Sequence, residues 1–276
     1  MNILVIGKNS YIGTSFFKYA QHQHHITLVS SRNGAWKDAD FSKADVVLFV
    51  AGIAHIPQVA ANKDLYYQVN CHLAVEVASH AKAAGVLHFI YLSSMAVYGL
   101  TTGEITPATP LQARDFYGHS KIQAETALAQ VGIPLCIIRP PMVYGPNAPG
   151  NFPRLVKLVE KLPIFPNIHN QRSMIFIDHL CQFILQAITA QHIGIYTPQN
   201  AELVSTTQLA QLIAQVKGKK LPLTRVFNPA LRRIPLPQLR KLFGTLIYRP
   251  SGNEATYSTT PLAETIAQSI HTHPKE

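Results

Sequence analysis

Short, mainly apolar runs recur along the first two hundred residues, separated by longer stretches of mixed polarity. Asn2-Ile3-Leu4-Val5-Ile6, Ile26 to Val29, Asp45 to Val50, Leu87 to Leu92 and Pro134 to Ile138 are of strand length. Such runs predict strands buried on both faces, as in a parallel sheet. Between them the apolar period lengthens. An amphipathic helix is predicted from about Thr14 to Gln21. A long helix is predicted from about Leu65 to Ala84, with Leu65, Val69, Leu73, Val77 and Ala81 on one stripe. A third helix, carrying Tyr117, has Ala124, Ala127, Leu128 and Val131 on its buried side. This βα rhythm predicts an α/β fold around a parallel sheet. The connection from Ser30 to Asp45 is too short for another strand with its crossover helices, so the sheet is expected to have a trimmed edge beyond its second strand.

After the Pro134–Ile138 run the rhythm changes. A helix from Asn151 to about Lys161 is followed by a proline-rich link, a strand at Ile175 to Ile177, a helix from Asp178 to Ala190 and a strand at Gly194-Ile195-Tyr196. A further helix is expected near Thr206–Val216, then basic, proline-broken segments and a frayed tail after Ser269. Residues 1–145 and about 172–200 are expected to form the sheet domain. Residues from about 146 to 171 and 201–276 are expected to form a smaller lobe.

The strand at Asn2–Ile6 runs into Gly7-Lys8-Asn9-Ser10-Tyr11-Ile12-Gly13 and a helix. Strand, glycine turn and helix start make a dinucleotide cradle, because backbone N–H groups and the helix dipole meet a pyrophosphate there. Any tight strand–helix turn would also use a glycine pair. Small residues at Ala51-Gly52 let a cofactor lie close to the backbone. Tyr117 and Lys121 stand one helical turn apart on one face. A nearby ammonium favours a phenolate, and a serine hydroxyl can hydrogen-bond the same oxygen. Tyr117 with Lys121 and Ser94 is therefore equipped to move a proton on or off a substrate hydroxyl. Taken alone, Tyr-x-x-x-Lys is more often a solvated helix face.

Composition narrows the class. Apolar residues make up 47% of 276, as in a globular protein with ample core. No apolar run reaches the roughly 18 residues of a membrane helix, and Met1-Asn2-Ile3 enters a strand with no signal-peptide start. Cys71, Cys136 and Cys181 are odd in number and in apolar settings, which reads as reduced core thiols in a cytoplasmic protein. His22, His24 and His25 have no Cys or carboxylate at ligand spacing, so a solvated loop is expected and no metal. The net charge of +10 is uneven: Leu203 to Asn253 has no acid, yet holds Lys217, Lys219, Lys220, Arg225, Arg232, Arg233, Arg240, Lys241 and Arg249. That is either a solvated basic face, a seat for a diphosphate, or a contact with an anionic membrane surface. No nucleic-acid motif accompanies it.

Taken with Gly7–Gly13 and Ser93-Ser94-Met95-Ala96-Val97-Tyr98-Gly99, the Tyr117-Gly118-His119-Ser120-Lys121 segment resembles the extended short-chain dehydrogenase/reductase family, the NAD-dependent epimerase/dehydratase group acting on nucleotide sugars. The resemblance covers nearly the whole chain. It implies a doubly wound (Rossmann) sheet and a catalytic set of Ser94, Tyr117 and Lys121. It implies NAD or NADP held by Gly7, Asn9, Ser10, Tyr11, Ile12 and Gly13, with Ser10 standing where the family has its middle glycine. Asp40-Phe41 matches the family's pair at the adenine, Asn70 a bracing asparagine, and Pro140 a position near the nicotinamide amide. Where an acid would hold the ribose hydroxyls of NAD, Ser30-Ser31-Arg32 has none. Arg32 is placed for a 2′-phosphate, or is a surface arginine beside an Asn33-Gly34 turn. Asn151 and Arg172 match residues that hold the substrate diphosphate, as an Arg fork suits phosphate. Met142 stands where many nucleotide-sugar epimerases carry Asn. A homodimer through the Tyr117 helix and the Leu65–Ala84 helix is implied.

Three activities fit that resemblance. The first is epimerisation of a UDP-hexose at C4 by transient oxidation, with Tyr117 as acid and base. The second is NADPH-dependent reduction of a keto nucleotide sugar, favoured by the missing acid after Ser30 and by the Gly7-Lys8 start. The third is a dinucleotide sensor without catalysis, against which an intact Ser94–Tyr117–Lys121 set argues.

Overall fold

A computed structural model describes residues 1–54, 56–226, 228–229, 237–249 and 260–270. In chain order the elements to Thr224 are β1 Asn2–Ile6, α1 Tyr11–Ala20, β2 His25–Val29, β3 Val46–Phe49, α2 Lys63–Tyr67, α3 Leu73–Ala83, β4 His88–Leu92, β5 Gly103–Ile105, α4 Phe116–Ala129, β6 Leu135–Ile138, β7 Met142–Tyr144, α5 Asn151–Lys161, β8 Phe165–Pro166, β9 Met174–Phe176, α6 Ile177–Thr189, β10 Gly194–Tyr196, α7 Thr206–Val216 and β11 Leu223–Thr224. The helix Pro237–Phe243, strand β12 Leu246–Tyr248 and the helix Leu262–Ile270 follow.

The apolar runs pair as six strands in the order β10-β6-β4-β3-β1-β2, all parallel. Among the described residues no strand lies beyond β2, so the edge is trimmed as expected. Short 3₁₀ turns at Ala35–Asp38 and Phe41–Lys43 fill that connection instead. The two-sided burial follows from strand alternation. Ile3, Val5, Val46, Leu48, Ile90, Leu92, Cys136 and Ile138 face one core with α1, α6 and α7 residues. Leu4, Ile6, Val47, Phe49, Phe89, Tyr91 and Ile137 face a second core with α3 and α4. All three cysteines are free thiols buried in these cores.

Two helix expectations are corrected. The first helix begins at Tyr11 rather than Thr14, because the Ser10 Oγ accepts from the Gly13 N–H at 2.9 Å and caps it there. The long helix is not continuous: a π turn, Gln68–His72, separates α2 from α3. A π turn holds an extra residue, so the buried face jumps. It carries Tyr66, Asn70, Cys71, Ala74, Val77, Ala78 and Ala81, and Leu65 is exposed. Arg232, Arg233, Asn253 and the tail after Ile270 lie outside the described residues.

Candidate active site

Strands β1, β3, β4 and β6 end on one side of the sheet, where the order reverses around β1. A cleft of about 510 Å³ opens there, at the position where open α/β sheets bind ligands. On the sheet side it is lined by Ser10, Tyr11, Ile12, Ala51, Gly52, Ser93, Ser94, Tyr117, Lys121 and Pro140. Met142, Gly150, Asn151 and Lys241, from segments after β6, complete the lining.

The glycine turn is shaped by close backbone approach. At Gly7, φ is +130°, and a Cβ would lie 2.9 Å from the Ala51 N. Ser10 in the middle position does not obstruct the turn, since its hydroxyl is folded back onto the Gly13 N–H. The first-turn N–H groups of Tyr11 and Ile12 have no intrahelical acceptor, and both residues line the cleft. The residues present therefore fit a dinucleotide pyrophosphate.

Asn70 is fully buried and uses its whole side chain as a brace. Its Oδ1 accepts from the Ile53 N–H at 2.8 Å, and its Nδ2 donates to the Ile53 carbonyl at 3.1 Å and to the Ser120 Oγ at 3.0 Å. The Ser120 Oγ donates in turn to the Tyr117 carbonyl at 2.8 Å. The loop after β3 is thus tied to the Tyr117 turn. Asn70 does not itself line the cleft.

α4 starts where the Asp115 carboxylate accepts from the Gly118 N–H at 2.8 Å. A Cβ at Gly118 would lie 2.7 Å from the Ala113 Cβ and 2.8 Å from the Ala96 carbonyl. Only glycine lets α4 sit this close to the turn that carries Ser94. The Ser94 Oγ accepts from the Ala96 N–H at 3.2 Å, which orients it at the end of β4. Lys121 is 3% exposed; its Nζ donates to the Leu92 carbonyl at 2.7 Å and lies 4.6 Å from the centre of the Tyr91 ring.

Burial governs the acid–base balance. It pushes the Tyr117 phenol above its ordinary value, and the hydrogen bond with Ser94 only partly offsets this. Burial lowers Lys121 to about 7, opposed by the charge of Glu125. The expectation that Lys121 and Ser94 bring the phenol below its solution value is corrected: desolvation disfavours both charged forms, and the Ser94 hydrogen bond lowers the phenol by less than burial raises it.

The remaining sequence candidates fall outside the cleft lining. Asn9 is exposed beside the glycine turn. Ser30 accepts from the Arg32 N–H at 3.2 Å, and Arg32 is exposed past the end of β2. The Asp40 carboxylate accepts from the Ser42 hydroxyl at 2.6 Å and pairs with Lys43 at 2.9 Å. Phe41 is 2% exposed, packed against Trp36 and His80. Arg172 donates from Nη1 to the Gly244 carbonyl at 3.1 Å, and its backbone bridges Val204 and Leu246. Burial lowers its proton affinity.

Sequence reasoning passed over two features. Lys241, counted there only as part of the basic stretch, reaches the cleft from the helix Pro237–Phe243. Other cations of that stretch are engaged elsewhere: Lys219 donates to the carbonyls of Val159, Glu160 and Leu162 at the end of α5, and Lys217 pairs with Glu160 at 2.8 Å. The second feature is a buried ion pair of Glu125 and Arg139 directly behind Ser93. A charged residue one turn past Lys121, on the buried face, was the signal available.

Residues 3–197 match the model of the NAD dependent epimerase/dehydratase family. A UDP-glucose 4-epimerase from Vibrio cholerae is 29% identical over 245 residues, covering 77% of this chain and 75% of that protein. An N-acetyl-alpha-D-glucosaminyl-diphospho-ditrans,octacis-undecaprenol 4-epimerase from Escherichia coli is 28% identical, covering 80% and 74%. In fold the chain is similar to a crystal structure of a dTDP-4-dehydrorhamnose reductase from Clostridium acetobutylicum, with a TM-score of 0.74, 17% identity and 98% of both chains covered. Among the described residues no helix is long and apolar enough to cross a membrane.

Proposed function

The chain belongs to the NAD dependent epimerase/dehydratase family of enzymes, and from that premise we propose that it is a 4-epimerase of a diphosphate-linked hexose, with a UDP-hexose as the first candidate. The observation that carries this reading is the single cleft that Ser94, Tyr117 and Lys121 line together with the glycine turn and with Met142, Asn151 and Lys241. Both curated relatives described above are named 4-epimerases of glucose-type sugars, one on UDP and one on a lipid diphosphate.

A nicotinamide cofactor would supply reversible hydride acceptance at the sugar carbinol. Gly7, Ser10, Tyr11, Ile12 and Gly13 would hold its pyrophosphate, and Ala51, Gly52 and Pro140 would set the depth of the dinucleotide. Tyr117 is the group placed to take the carbinol proton and give it back; burial raises its proton affinity, which the bound cofactor and substrate would have to offset. Ser94 holds the reacting oxygen, and Lys121 places its charge behind it. An epimerase must keep the diphosphate while the oxidised ring turns over. Lys241 and Asn151 supply the anchor; Met142 is apolar and flexible and leaves the ring free to turn. Residues 146–171 and 201–276 act as the substrate lobe, and the active form is a cytoplasmic homodimer in polysaccharide biosynthesis.

One observation favours a second reading, an NADPH-dependent ketosugar reductase. No acid follows β2, and Arg32 is exposed there. Incubation with UDP-glucose, UDP-N-acetylglucosamine or a polyprenyl-diphosphate sugar, with only catalytic cofactor, distinguishes the two. The anomeric protons are followed by NMR. A 4-epimer accumulating without net NAD(P)H change is expected. Untouched sugars, with NADPH consumed stoichiometrically against a ketosugar, would give the reductase its place.

A further inference from the structure

Glu125 and Arg139 form a buried ion pair at the back wall of the cleft, with both side chains close to fully enclosed. Arg139 donates from Nε to the Glu125 Oε1 at 3.0 Å and from Nη2 to Oε2 at 2.5 Å. The Ser93 hydroxyl also donates to Oε1. Arg139 Nη1 donates to the Tyr98 hydroxyl at 2.8 Å, and the Arg139 carbonyl accepts from the Tyr248 hydroxyl at 2.9 Å. The pair thus joins four pieces of the site: the end of β4, the Ser94–Tyr98 turn, α4 and the β6 end before Pro140.

Burying two charges costs several kcal/mol per ion before their attraction is counted. An apolar pair would hold these four pieces together as well. A charged pair is placed here beside the one lysine of the cleft that is itself buried. Glu125 lies four residues past Lys121, on the same face of α4. Lys121 donates to the Leu92 carbonyl, one residue before Ser93, whose hydroxyl Glu125 holds.

We propose that the Glu125–Arg139 pair is a positioning device for the reaction: it locks Ser93, and with it Ser94, against α4, and it supplies the carboxylate that balances Lys121. This rests on the role given above to Lys121. The titratable groups packed around Lys121 are Tyr91 on β4, Tyr117 and Glu125 on α4, and Cys71 behind Tyr91 in the π turn; Arg139 faces Glu125 from β6. Glu125 is the carboxylate among them, and its charge opposes the loss of the Lys121 proton on burial.

The test is the titration of the Lys121 side chain in the full-length chain with ¹³C-labelled lysine, its NMR signal assigned by its absence in Lys121→Met. Glu125→Gln keeps the shape and the Ser93 contact. It is expected to lower the Lys121 midpoint by about one pH unit or more, the scale of a buried charge pair. The alkaline limb of the kcat profile is expected to move down by the same amount. Arg139→Gln is expected to move both up. If either single variant fails to fold, as an unpaired buried charge permits, Glu125→Gln/Arg139→Gln decides. Its midpoint is expected below the native one, since the nearer charge is the one with the larger effect. An unchanged midpoint in Glu125→Gln, or in the double variant, overturns the proposal. A shifted midpoint with an unshifted kcat profile overturns its link to the reaction. The titration needs no substrate, so failure of the epimerase reading leaves it standing or falling by itself.

Discussion

The two walls of the cleft are built differently. On the sheet wall, Ser94, Tyr117 and Lys121 hang on strand ends and on α4, and each is fastened by buried groups: Ala96 N–H to Ser94, Ser120 and Asn70 behind Tyr117, the Leu92 carbonyl on Lys121. On the other wall, Asn151 and Lys241 are exposed and Met142 is half-buried. The residues proposed for the chemistry are tied down by buried hydrogen bonds; those proposed to meet the sugar diphosphate are more exposed. This division suits an enzyme that must keep one reacting geometry while part of its substrate reorients.

The comparison breaks most sharply at Tyr117. Tyr117→Phe removes one hydroxyl from the rigid wall, with the fold and dinucleotide binding expected intact. Turnover is expected to fall by roughly 10²–10⁴-fold, the usual worth of a general acid–base group. Steady-state kinetics beside cofactor binding by calorimetry checks it, and near-normal turnover would move the proton transfer to another group.

A smaller effect separates Lys241 from Arg172 on the open wall. Lys241→Met is expected to raise KM for a diphosphate sugar by about 10-fold or more, the worth of a hydrogen bond to a charged group, with the melting temperature unchanged. Arg172→Met loses the bond to the Gly244 carbonyl and is expected to lower the melting temperature, with the smaller change in KM. The reverse pattern would return the diphosphate anchor to Arg172.

A further effect concerns stability. Lys121 holds its proton less tightly folded, at about 7, than in an unfolded chain, at about 10.4. Between those values the unfolded chain binds a proton that the native one has released, so native stability rises with pH across that window. Relative to the native chain, Lys121→Met is expected to be more stable at pH 6. That advantage shrinks as pH rises from 7 towards 10. A melting-temperature difference that stays flat over the window would show that Lys121 is not held neutral by burial.

Much of the rigid wall was legible beforehand because its signals are local. A strand buried on both faces is largely apolar, which marked β1, β3, β4 and β6; β2, at the sheet edge, is only partly buried. Gly7 with Gly13 and Tyr117 with Lys121 are each separated by about one loop or one helical turn, so spacing alone put them together. The π turn was not legible, since Gln68–His72 reads as ordinary helix and only the packing of Asn70 against Ile53 and Ser120 selects it. Nor was the sign of the Tyr117 shift, which depends on how much water the folded walls exclude. Asp40 and Phe41 matched a pattern, yet the short connection after β2 turns Phe41 into the core with Trp36.

By itself, then, the sequence determined the parallel sheet with its trimmed edge, the glycine turn and the Tyr117–Lys121 spacing, because periodicity and short-range spacing act within one element or its immediate neighbour; Ser94, distant from Tyr117 in the chain, joined the proposed set through the family resemblance. Only the tertiary structure decided that Lys241 and not Arg172 lines the cleft, that Glu125 meets Arg139 behind Ser93, and that Lys121 titrates near neutrality. Those outcomes depend on contacts between residues distant in the chain and on the dielectric their packing creates, and neither quantity is written in any local pattern of residues.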